Sequence, residues 1–494
     1  MMRILWLILA SVLSIPSLTW AAAETLYVRP VADCSFNGDG SAYACAASGG
    51  APGAWSKHSN IIMNSSDETA GQLDPGDTLK VCGSFRVADR TTANYQIFFT
   101  VSGAANNLIT VDGDCSANGG SATADFNGGT STLYGFGSDS QTHLTIKNLV
   151  IHDFTSRGML LYGDTITDIT IAKHITIEDV TIRDIRGSNR IGVDARGRYI
   201  TLTRMTVANV GGDAIYQGGG HHFIVQDATI SGVSLDTGNG GDGVQMGDEV
   251  GGSVIRDSHI NMTSVDSKYC GISSGVTDGG LVSFTGNTCV RNSTDTVGSG
   301  FYVENPAMIR SNSVTGGLHG IQCASPAGNL CEIVGNLIIN ANSRGIITGS
   351  TTTVVRVLNN TVIGATECIH LGANNAGIIA SNNICQGQTT GINKELTGGA
   401  PVDTYNLFYQ ISGNNLVVNG TPTAPGTGSL LATNPLFVVA SDYRTRASSP
   451  ARRAGTPSGY CIDARGRACY PDRPDIGAYQ ATSGDEANTR TARQ

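Results

Sequence analysis

The stretch NLIINANSRGIITGSTTTVVRVLNNTVIGATECIHLGANNAGIIASNNIC, residues 336–385, decides the fold because it contains one pattern three times. An Asn begins each copy, at Asn336, Asn360 and Asn383, and a short apolar segment follows it. The copies begin 24 and 23 residues apart, and apolar and polar side chains alternate within them as they do in β-strands. Repeats of this length, made of strands and Gly/Asn/Asp turns, predict a solenoid of stacked β-coils.

The same repeat continues on both sides of this stretch. Its copies begin at Asn148, Asp179, Arg204, Asp227, Asp257, Asn287, Asn312, Asn336, Asn360, Asn383 and Asn406. Equivalent residues of stacked coils lie about 4.8 Å apart. The six successive Asn residues from Asn287 onward therefore predict a ladder in which each amide donates to one neighbour and accepts from the other. Asn also tolerates the left-handed conformation of a tight turn, which is the second reason to expect it at this position.

A second column later in each repeat predicts which side chains face outward. A small residue precedes one apolar residue, which we expect to point inward, and strand alternation sends the next residue outward. The inward row is Val193, Ile215, Val244, Ile272, Phe301, Ile321, Ile346, Ile369 and Ile392. The outward row is Asp194, Tyr216, Gln245, Ser273, Tyr302, Gln322, Ile347, His370 and Asn393. Two residues further on lies a parallel outward row that begins Arg196, Gly218, Gly247, Gly275 and Glu304.

Composition and the first residues limit the function classes. The chain has 64 Gly among 494 residues, 14% charged residues and a net charge of −9 without a basic block, which argues against a nucleic-acid partner. Residues 1–23 have the pattern of a secretory signal peptide with cleavage after Ala23, and no later stretch is long enough to span a membrane. A secreted or periplasmic monomer is therefore expected.

Twelve Cys residues fit an oxidising compartment, and they occur as near neighbours in the sequence. Local pairing predicts six disulfides, which would join Cys34 with Cys45, Cys82 with Cys115, Cys270 with Cys289, Cys323 with Cys331, Cys368 with Cys385 and Cys461 with Cys469.

These repeats resemble the right-handed parallel β-helix of the pectate-lyase-like superfamily. The resemblance implies an all-β chain in which residues 108–410 form about ten or eleven coils. Residues 24–107, which include GDTLKVCGSF at 76–85, resemble the N-terminal capping segment of secreted bacterial β-helix proteins. Residues 411–480, which include DIGAY at 475–479, resemble their C-terminal closure, and residues 481–494 are expected to form a flexible tail.

Polar residues concentrate on the outward face of a few neighbouring coils. Long loops at 183–190, 232–241, 264–269 and 291–299 predict the walls of a groove over this face, although a solvated outer face is the alternative explanation. The candidate catalytic residues are Arg196, Tyr216, Lys268 and Asp242. The candidate substrate-binding residues are Asp194, His222, Gln245, Tyr302, Glu304 and Gln322. No cofactor is certain, but Asp213, Asp242 and Asp248 are candidate Ca²⁺ ligands, with ordinary Asp-Gly turns as the alternative.

Three functions remain open at this point. The first is a polysaccharide lyase that cleaves an acidic, uronate-containing polymer by β-elimination, with Arg196 on the substrate carboxylate and Tyr216 or Lys268 as the proton-transfer group. The second is an inverting glycoside hydrolase with Asp213 and Asp242, or Asp194 and Glu304, as its carboxyl pair. The third is a β-helix that binds carbohydrate without catalysis.

Overall fold

A computed structural model provides the structure of the chain. It describes residues 23–30, 32–34, 41–47, 54, 73–89, 94–129, 131–139, 141–162, 172–187, 190–235, 240–247, 250–264, 267–275, 280–324, 330–349, 354–372, 377–395, 402–457, 462–470 and 472–480. The predicted signal peptide, apart from Ala23, lies outside these residues, as does the predicted tail. None of the helices among the described residues is long and apolar enough to cross a membrane.

The chain winds into a right-handed parallel β-helix with three sheets, numbered here in the order in which each coil visits them. Sheet 1 contains the strands Thr25–Val28, Thr78–Val81, Ile109–Asp112, Leu144–Lys147, Ala172–Glu178, Arg198–Thr203, Ile224–Gln226, Val254–Arg256, Val282–Thr285, Ala307–Arg310, Leu330–Val334, Val354–Leu358, Ile378–Ser381 and Val402–Thr404. Sheet 2 contains Ser84–Phe85, Ala124–Asn127, Leu149–His152, Thr181–Ile185, Thr206–Val210, Thr229–Ser231, His259–Met262, Thr288–Arg291, Ser313–Thr315, Leu337–Ile339, Thr361–Ile363, Ile384–Gln386, Leu407–Tyr409 and Leu430–Leu431.

Sheet 3 completes each coil, and its outer face carries the candidate site. It contains Tyr95–Phe99, Tyr134–Asp139, Arg157–Tyr162, Ile191–Ala195, Ile215–Gln217, Val244–Met246, Tyr269–Ser273, Ser299–Val303, His319–Cys323, Arg344–Thr348, Glu367–Leu371, Thr390–Lys394, Asn414–Val418 and the antiparallel Thr421–Pro422. The strands Phe437–Val439 and Asp442–Thr445 pair with each other, and the described residues also include short 3₁₀ helices at Val87–Asp89 and Ser116–Asn118.

The solenoid has about fourteen coils, so the expected ten or eleven was an undercount. Strands on both sides of residues 108–410 join the same sheets. Thr25–Val28 pairs with Thr78–Val81, which pairs in turn with Ile109–Asp112, and Leu430–Leu431 extends sheet 2 beyond Leu407–Tyr409. The sequence repeat is weak in these segments because they lack the regular Asn position from which the coils were counted.

The interior is a single column of apolar side chains that runs through the coils. Eight of the nine residues predicted to point inward are fully buried in it: Val193, Ile215, Val244, Phe301, Ile321, Ile346, Ile369 and Ile392. The coil at 269–273 differs, because Gly271 and not Ile272 pairs with Val244 on one side and Phe301 on the other. Ile272 therefore lies in the outward row between Gln245 and Tyr302, and Ser273 is buried.

The aromatic rings around Gly271 explain this one-residue shift. A Cβ at Gly271 would lie 2.6 Å from the Phe284 ring and 3.1 Å from the Phe301 ring, distances that real side chains do not tolerate. The two rings fill the interior at this level, and only a residue without a side chain fits between them.

The predicted Asn ladder is confirmed. The side-chain Oδ1 of Asn336 accepts from the backbone N–H and side-chain Nδ2 of Asn312, at 2.9 and 3.0 Å. Its Nδ2 donates to Oδ1 of Asn360 at 3.0 Å and to the carbonyl of Ile309 at 2.8 Å. The same bonds recur from Asn287 to Asn406, and all members are almost completely buried. The coils from Asn287 to Asn406 are thus joined by side-chain as well as backbone hydrogen bonds.

The left-handed turn residue, however, directly precedes the ladder position. Asn359 and Asn382 have φ angles of 54° and 60°, and the residue that follows each of them belongs to the ladder. Asp227 and Asp257, which the repeat placed in the same column, are turn residues of this kind, with φ angles of 53°. In the coils before Asn287, the ladder position is the residue after this turn residue, and it is mostly occupied by apolar side chains. The column predicted from the sequence therefore combined two neighbouring positions of the coil, the turn residue and the ladder residue.

Five of the six predicted disulfides are present: Cys34–Cys45, Cys82–Cys115, Cys270–Cys289, Cys323–Cys331 and Cys368–Cys385. Cys469 is disulfide-bonded as well, but its predicted partner Cys461 lies outside the described residues. The disulfides are consistent with an extracellular or periplasmic protein.

The C-terminal residues lie along the turn between sheets 1 and 2. The amide of Asn359 donates to the carbonyl of Asp475 at 3.0 Å, and the amide of Asn382 donates to the carbonyl of Thr456 at 2.9 Å. Ile476 and Ala451 pack with Ile384 in a small second core. This segment covers turns of the late coils and leaves the outer face of sheet 3 to the site.

The ladder predicts a large cost for replacing Asn336 by Leu. The change removes a hydrogen-bond partner from buried groups of Asn312 and Asn360 and from the Ile309 carbonyl. Each unsatisfied buried group costs about 1–3 kcal/mol. We therefore expect the free energy of unfolding to fall by at least about 3 kcal/mol. Urea denaturation measures the loss. The exposed Asn342, replaced in the same way, is the control, and an equal, small effect of both changes would contradict a role for the ladder in stability.

Candidate substrate-binding cleft

A cleft of about 610 Å³ opens on the outer face of sheet 3. It brings together seven of the residues predicted from the sequence: Asp194, Arg196, Asp213, Tyr216, Asp242, Gln245 and Lys268. They come together because Val193, Ile215 and Val244 pair in register, which stacks Asp194, Tyr216 and Gln245 on successive coils. Arg157, Tyr269 and Ile272 also line the cleft.

Three other predicted residues continue along the same face. Tyr302 lies next to Ile272 in the outward row, and its ring centroid is 5.1 Å from that of Tyr269 in the cleft wall. Its hydroxyl donates to Oε1 of Glu304 at 2.6 Å. Gln322 follows on the next coil and accepts a hydrogen bond from the Ser299 hydroxyl at 3.1 Å. These residues extend the polar face beyond the cleft.

His222 lies away from the cleft. It is exposed at the turn before the sheet 1 strand Ile224–Gln226, and its ring stacks on Tyr199 with a centroid distance of 4.8 Å. The ring stack continues through His174 to His143. His222 was predicted as a substrate ligand because it falls in the same consecutive coils as Arg196, Tyr216 and Lys268, but the turn between sheets 3 and 1 carries it to a different face.

Arg196 is the central cation of the cleft. Its guanidinium carbon lies 4.5 Å from the ring centroid of Tyr162 and 5.9 Å from that of Tyr216, so two rings on neighbouring coils hold it by cation–π contact. Gly218 leaves room for this arrangement, because a Cβ there would lie 2.8 Å from both Nε of Arg196 and the Tyr216 ring. The nearest acidic group is Asp194, 3.7 Å from Nε.

Lys268 reaches the cleft from the loop before strand Tyr269–Ser273. Its side chain crosses Gly240, where a Cβ would lie 2.2 Å from Cε of Lys268 and the backbone has a φ angle of 49°. The buried Arg291 fixes this loop by donating to the carbonyls of Ser267, at 2.9 Å, and Lys268. Lys268 itself is exposed, and among the described residues no carboxylate lies within 4 Å of its ammonium group.

Asp213 and Asp242 are stacked on adjacent coils. Oδ1 of Asp213 accepts the backbone N–H of Asp242 at 2.8 Å, and Oδ1 of Asp242 accepts the backbone N–H of Tyr269 at 3.1 Å. Burial raises the pKa of Asp213 to about 6. Burial also raises the pKa of Asp242 well above its usual value, and the neighbouring Asp213 raises it further. The pair therefore retains protons at pH values where exposed carboxyl groups are ionised.

Two of the three candidate Ca²⁺ ligands, Asp213 and Asp242, are among the described residues. No group of three His, Cys, Asp or Glu side chains that could hold a metal ion comes together in the described part of the chain. Asp213 and Asp242 each use one oxygen on a backbone N–H, and hard cations prefer six or more oxygen ligands. The third candidate, Asp248, lies outside the described residues.

The sequence reasoning missed three residues of the site: Arg157, which lines the cleft, Tyr162, whose ring contacts Arg196, and Tyr269, which also lines the cleft. The first two belong to SRGMLLY at 156–162, where Gly158, Met159 and Leu160 occupy the small, inward and outward positions of the repeat. Applying the same pattern one coil earlier would have placed Arg157 and Tyr162 beside the groove. The place of Tyr269 in the cleft could be recognised only from the pairing register of its strand, which is shifted by one residue.

The carboxyl pair predicts a pH-dependent stability. An acid whose pKa is raised on folding stabilises the protein fully below its unfolded pKa, 3.8 for Asp213, and loses this contribution as the pH rises through about 6. Replacing Asp213 by Asn keeps the acceptor for Asp242 and removes the titration. Between pH 4 and pH 8, the wild type should lose about 2–3 kcal/mol more unfolding free energy than the variant. Urea midpoints across this range measure the difference, with Asp257→Asn at an exposed turn as the control; parallel pH profiles of wild type and Asp213→Asn would contradict the shift.

No protein-family model matches the chain, and no curated protein matches it. Solved structures do match. The PL6 family alginate lyase AlyGC, in a structure of a point mutant, aligns with a TM-score of 0.52 at 14% identity and covers 83% of this chain and 57% of that chain. The pectate lyase Pel9A aligns with a TM-score of 0.46 at 15% identity over 94% of this chain and 98% of that chain. A PL6 family polysaccharide lyase from Pseudopedobacter saltans gives 0.44 at 13% identity over 83% and 96%.

At these identities the likeness establishes the fold. The chain shares the fold of AlyGC, and the expected right-handed parallel β-helix is confirmed.

Proposed function

We propose that the protein is an exported polysaccharide lyase that cleaves a uronate-containing polymer by β-elimination in the sheet 3 cleft. The observation that carries this proposal is the meeting of the Arg196 guanidinium, the Lys268 ammonium group and the Tyr216 phenol in one open cleft. The solved structures with a similar fold include proteins named as alginate and pectate lyases, which supports the same substrate class here.

The chemistry needs two functions that these side chains supply. A base removes the proton from C5, next to the uronate carboxylate, and the electron pair forms the double bond between C4 and C5 as the glycosidic oxygen leaves with a proton. Negative charge develops on the carboxylate during this step, so a fixed cation beside it lowers the barrier. Arg196 is held in place by two aromatic rings and suits this second function.

Lys268 and Tyr216 are the proton-transfer groups of the proposal. Both line the cleft together with Arg196; Tyr216 lies on the coil next to that of Arg196, and Lys268 precedes the strand Tyr269–Ser273, two coils further on. Lys268 has an exposed, flexible side chain that ends in the ammonium group, whereas the Tyr216 ring is fixed in the outward row. Gln245, and Tyr302 with Glu304 further along the face, would bind sugar hydroxyls.

The geometry favours elimination over inverting hydrolysis. An inverting hydrolase needs carboxyl groups about 6.5–9.5 Å apart, whereas coils that pair as neighbours, like those of Asp213 and Asp242, are spaced about 4.8 Å apart. The other candidate pair is also unsuited, because Asp194 is 1% exposed and Glu304 accepts a hydrogen bond from Tyr302. The raised pKa values of the stacked pair remain the one feature that a hydrolase would share.

The reaction itself can be tested directly. Purified protein is incubated with pectate, alginate and other uronate polymers, and the ends of the products are analysed by ultraviolet absorbance and mass spectrometry. We expect new unsaturated ends from at least one polymer. New saturated reducing ends would identify a hydrolase, and bound but intact polymer would identify a binding protein; either result would overturn the proposal.

Matched variants test the assignment of residues. Arg196→Ala, Lys268→Ala and Tyr216→Phe should each lower the rate, by about 10²–10⁴-fold for the proton-transfer group, while the melting temperature stays close to that of the wild type. Controls carry the same changes on sheet 1 or its turns: Arg256→Ala, Lys147→Ala and Tyr199→Phe. Full activity in all three cleft variants would place the active site elsewhere on the β-helix.

A further inference from the structure

Arg157 is a second cation of the cleft that the proposed mechanism does not use. It begins the sheet 3 strand Arg157–Tyr162, one coil before the strand that carries Asp194. Its Nε donates to Oδ2 of Asp194 at 3.1 Å, and its Nη1 donates to the hydroxyl of Ser156 at 2.9 Å. Its side chain is 22% exposed and lines the cleft, so part of the guanidinium remains available to a ligand.

Asp194 lies between Arg157 and Arg196. It is 1% exposed, and its Oδ2 accepts from both Arg157 and the hydroxyl of Tyr162, the latter at 2.9 Å. Its Oδ1 lies 3.7 Å from Nε of Arg196. Two guanidinium groups on neighbouring coils repel each other, and a carboxylate between them offsets this repulsion. Asp194 therefore allows Arg157 and Arg196 to lie close together in one cleft.

The hydrogen bonds of this group are incomplete among the described residues. Oδ1 of Asp194 and Nε of Arg196 are both buried, and neither has a hydrogen-bond partner there. Both atoms are enclosed by the protein, so a ligand can contact Arg196 only through the exposed part of its side chain, which is 19% of its surface. The group also carries one net positive charge, since two guanidinium groups face one carboxylate. One further carboxylate would neutralise it.

We propose that Arg157 and Arg196 together bind one carboxylate of the substrate, and that Asp194 is the positioning residue that holds them. This proposal rests on the proposed function and adds to it the group that selects an acidic sugar. It also gives Asp194 a different role from the sugar-binding role expected from the sequence, because the residue acts through the arginines and does not touch the polymer. Ionised acceptors bound by two guanidinium groups form strong, oriented hydrogen bonds.

Binding of acidic and neutral polymers separates this role from a general effect on the fold. Calorimetry compares pectate with its fully methyl-esterified form, for wild type, Arg157→Ala, Asp194→Asn and the double variant. We expect each single change to weaken pectate binding about 10- to 100-fold and to leave binding of the ester unchanged. The double variant should be scarcely weaker than either single one, because both changes break the same unit. Arg256→Ala is the matched control, and melting temperatures check folding.

The outcomes are distinct. Wild-type affinity in Arg157→Ala, additive losses in the double variant, or equal losses for the acid and the ester would each overturn the carboxylate-binding pair. If wild type binds pectate but produces unsaturated ends from none of the uronate polymers, the lyase proposal fails while the binding pair is still tested by the same titrations. If pectate does not bind to wild type, the titrations are repeated with alginate, and absence of binding to both polymers overturns the pair.

Discussion

The parallel register between successive coils is the constraint on which the rest of this structure depends. Each coil satisfies its backbone hydrogen bonds only by pairing with its neighbours. Pairing in constant register stacks equivalent residues into columns, and successive residues within one column lie about 4.8 Å apart. The buried Asn ladder, the interior apolar column and the outward row of the cleft are three such columns. A side chain in one of these columns therefore lies next to the side chains at the same position of the preceding and following coils.

This constraint also explains what the sequence could predict. Columns appear in a sequence as a repeat, so the solenoid, the ladder and most inward and outward assignments could be predicted from spacing alone. The assignment was wrong at Ile272, where the register depends on whether the rings of Phe284 and Phe301 leave room for a side chain. Such packing is set by residues that are distant in sequence and leaves no mark on the repeat.

The candidate site was predicted in part for the same reason. Asp194, Tyr216 and Gln245 stack because they share a column, and the structure places them in one cleft. His222 is close to Tyr216 in sequence, but a turn moves it to another face, which spacing along the chain does not reveal. The burial of Asp194 between two arginines is likewise a property of two neighbouring coils together, and Arg157 is found only when the column is followed one coil earlier.

The central claim is that an acidic polymer occupies the outer face of sheet 3 around Arg196. Hydrogen–deuterium exchange with and without a uronate oligosaccharide tests this most directly, because a bound ligand slows exchange in the backbone it covers and stabilises. The account predicts protection confined to the sheet 3 strands Arg157–Tyr162 through Ser299–Val303 and the loop that carries Lys268, with sheets 1 and 2 of the same coils unchanged. Protection centred on sheet 1, on sheet 2 or on the late coils beyond Glu367 would contradict it.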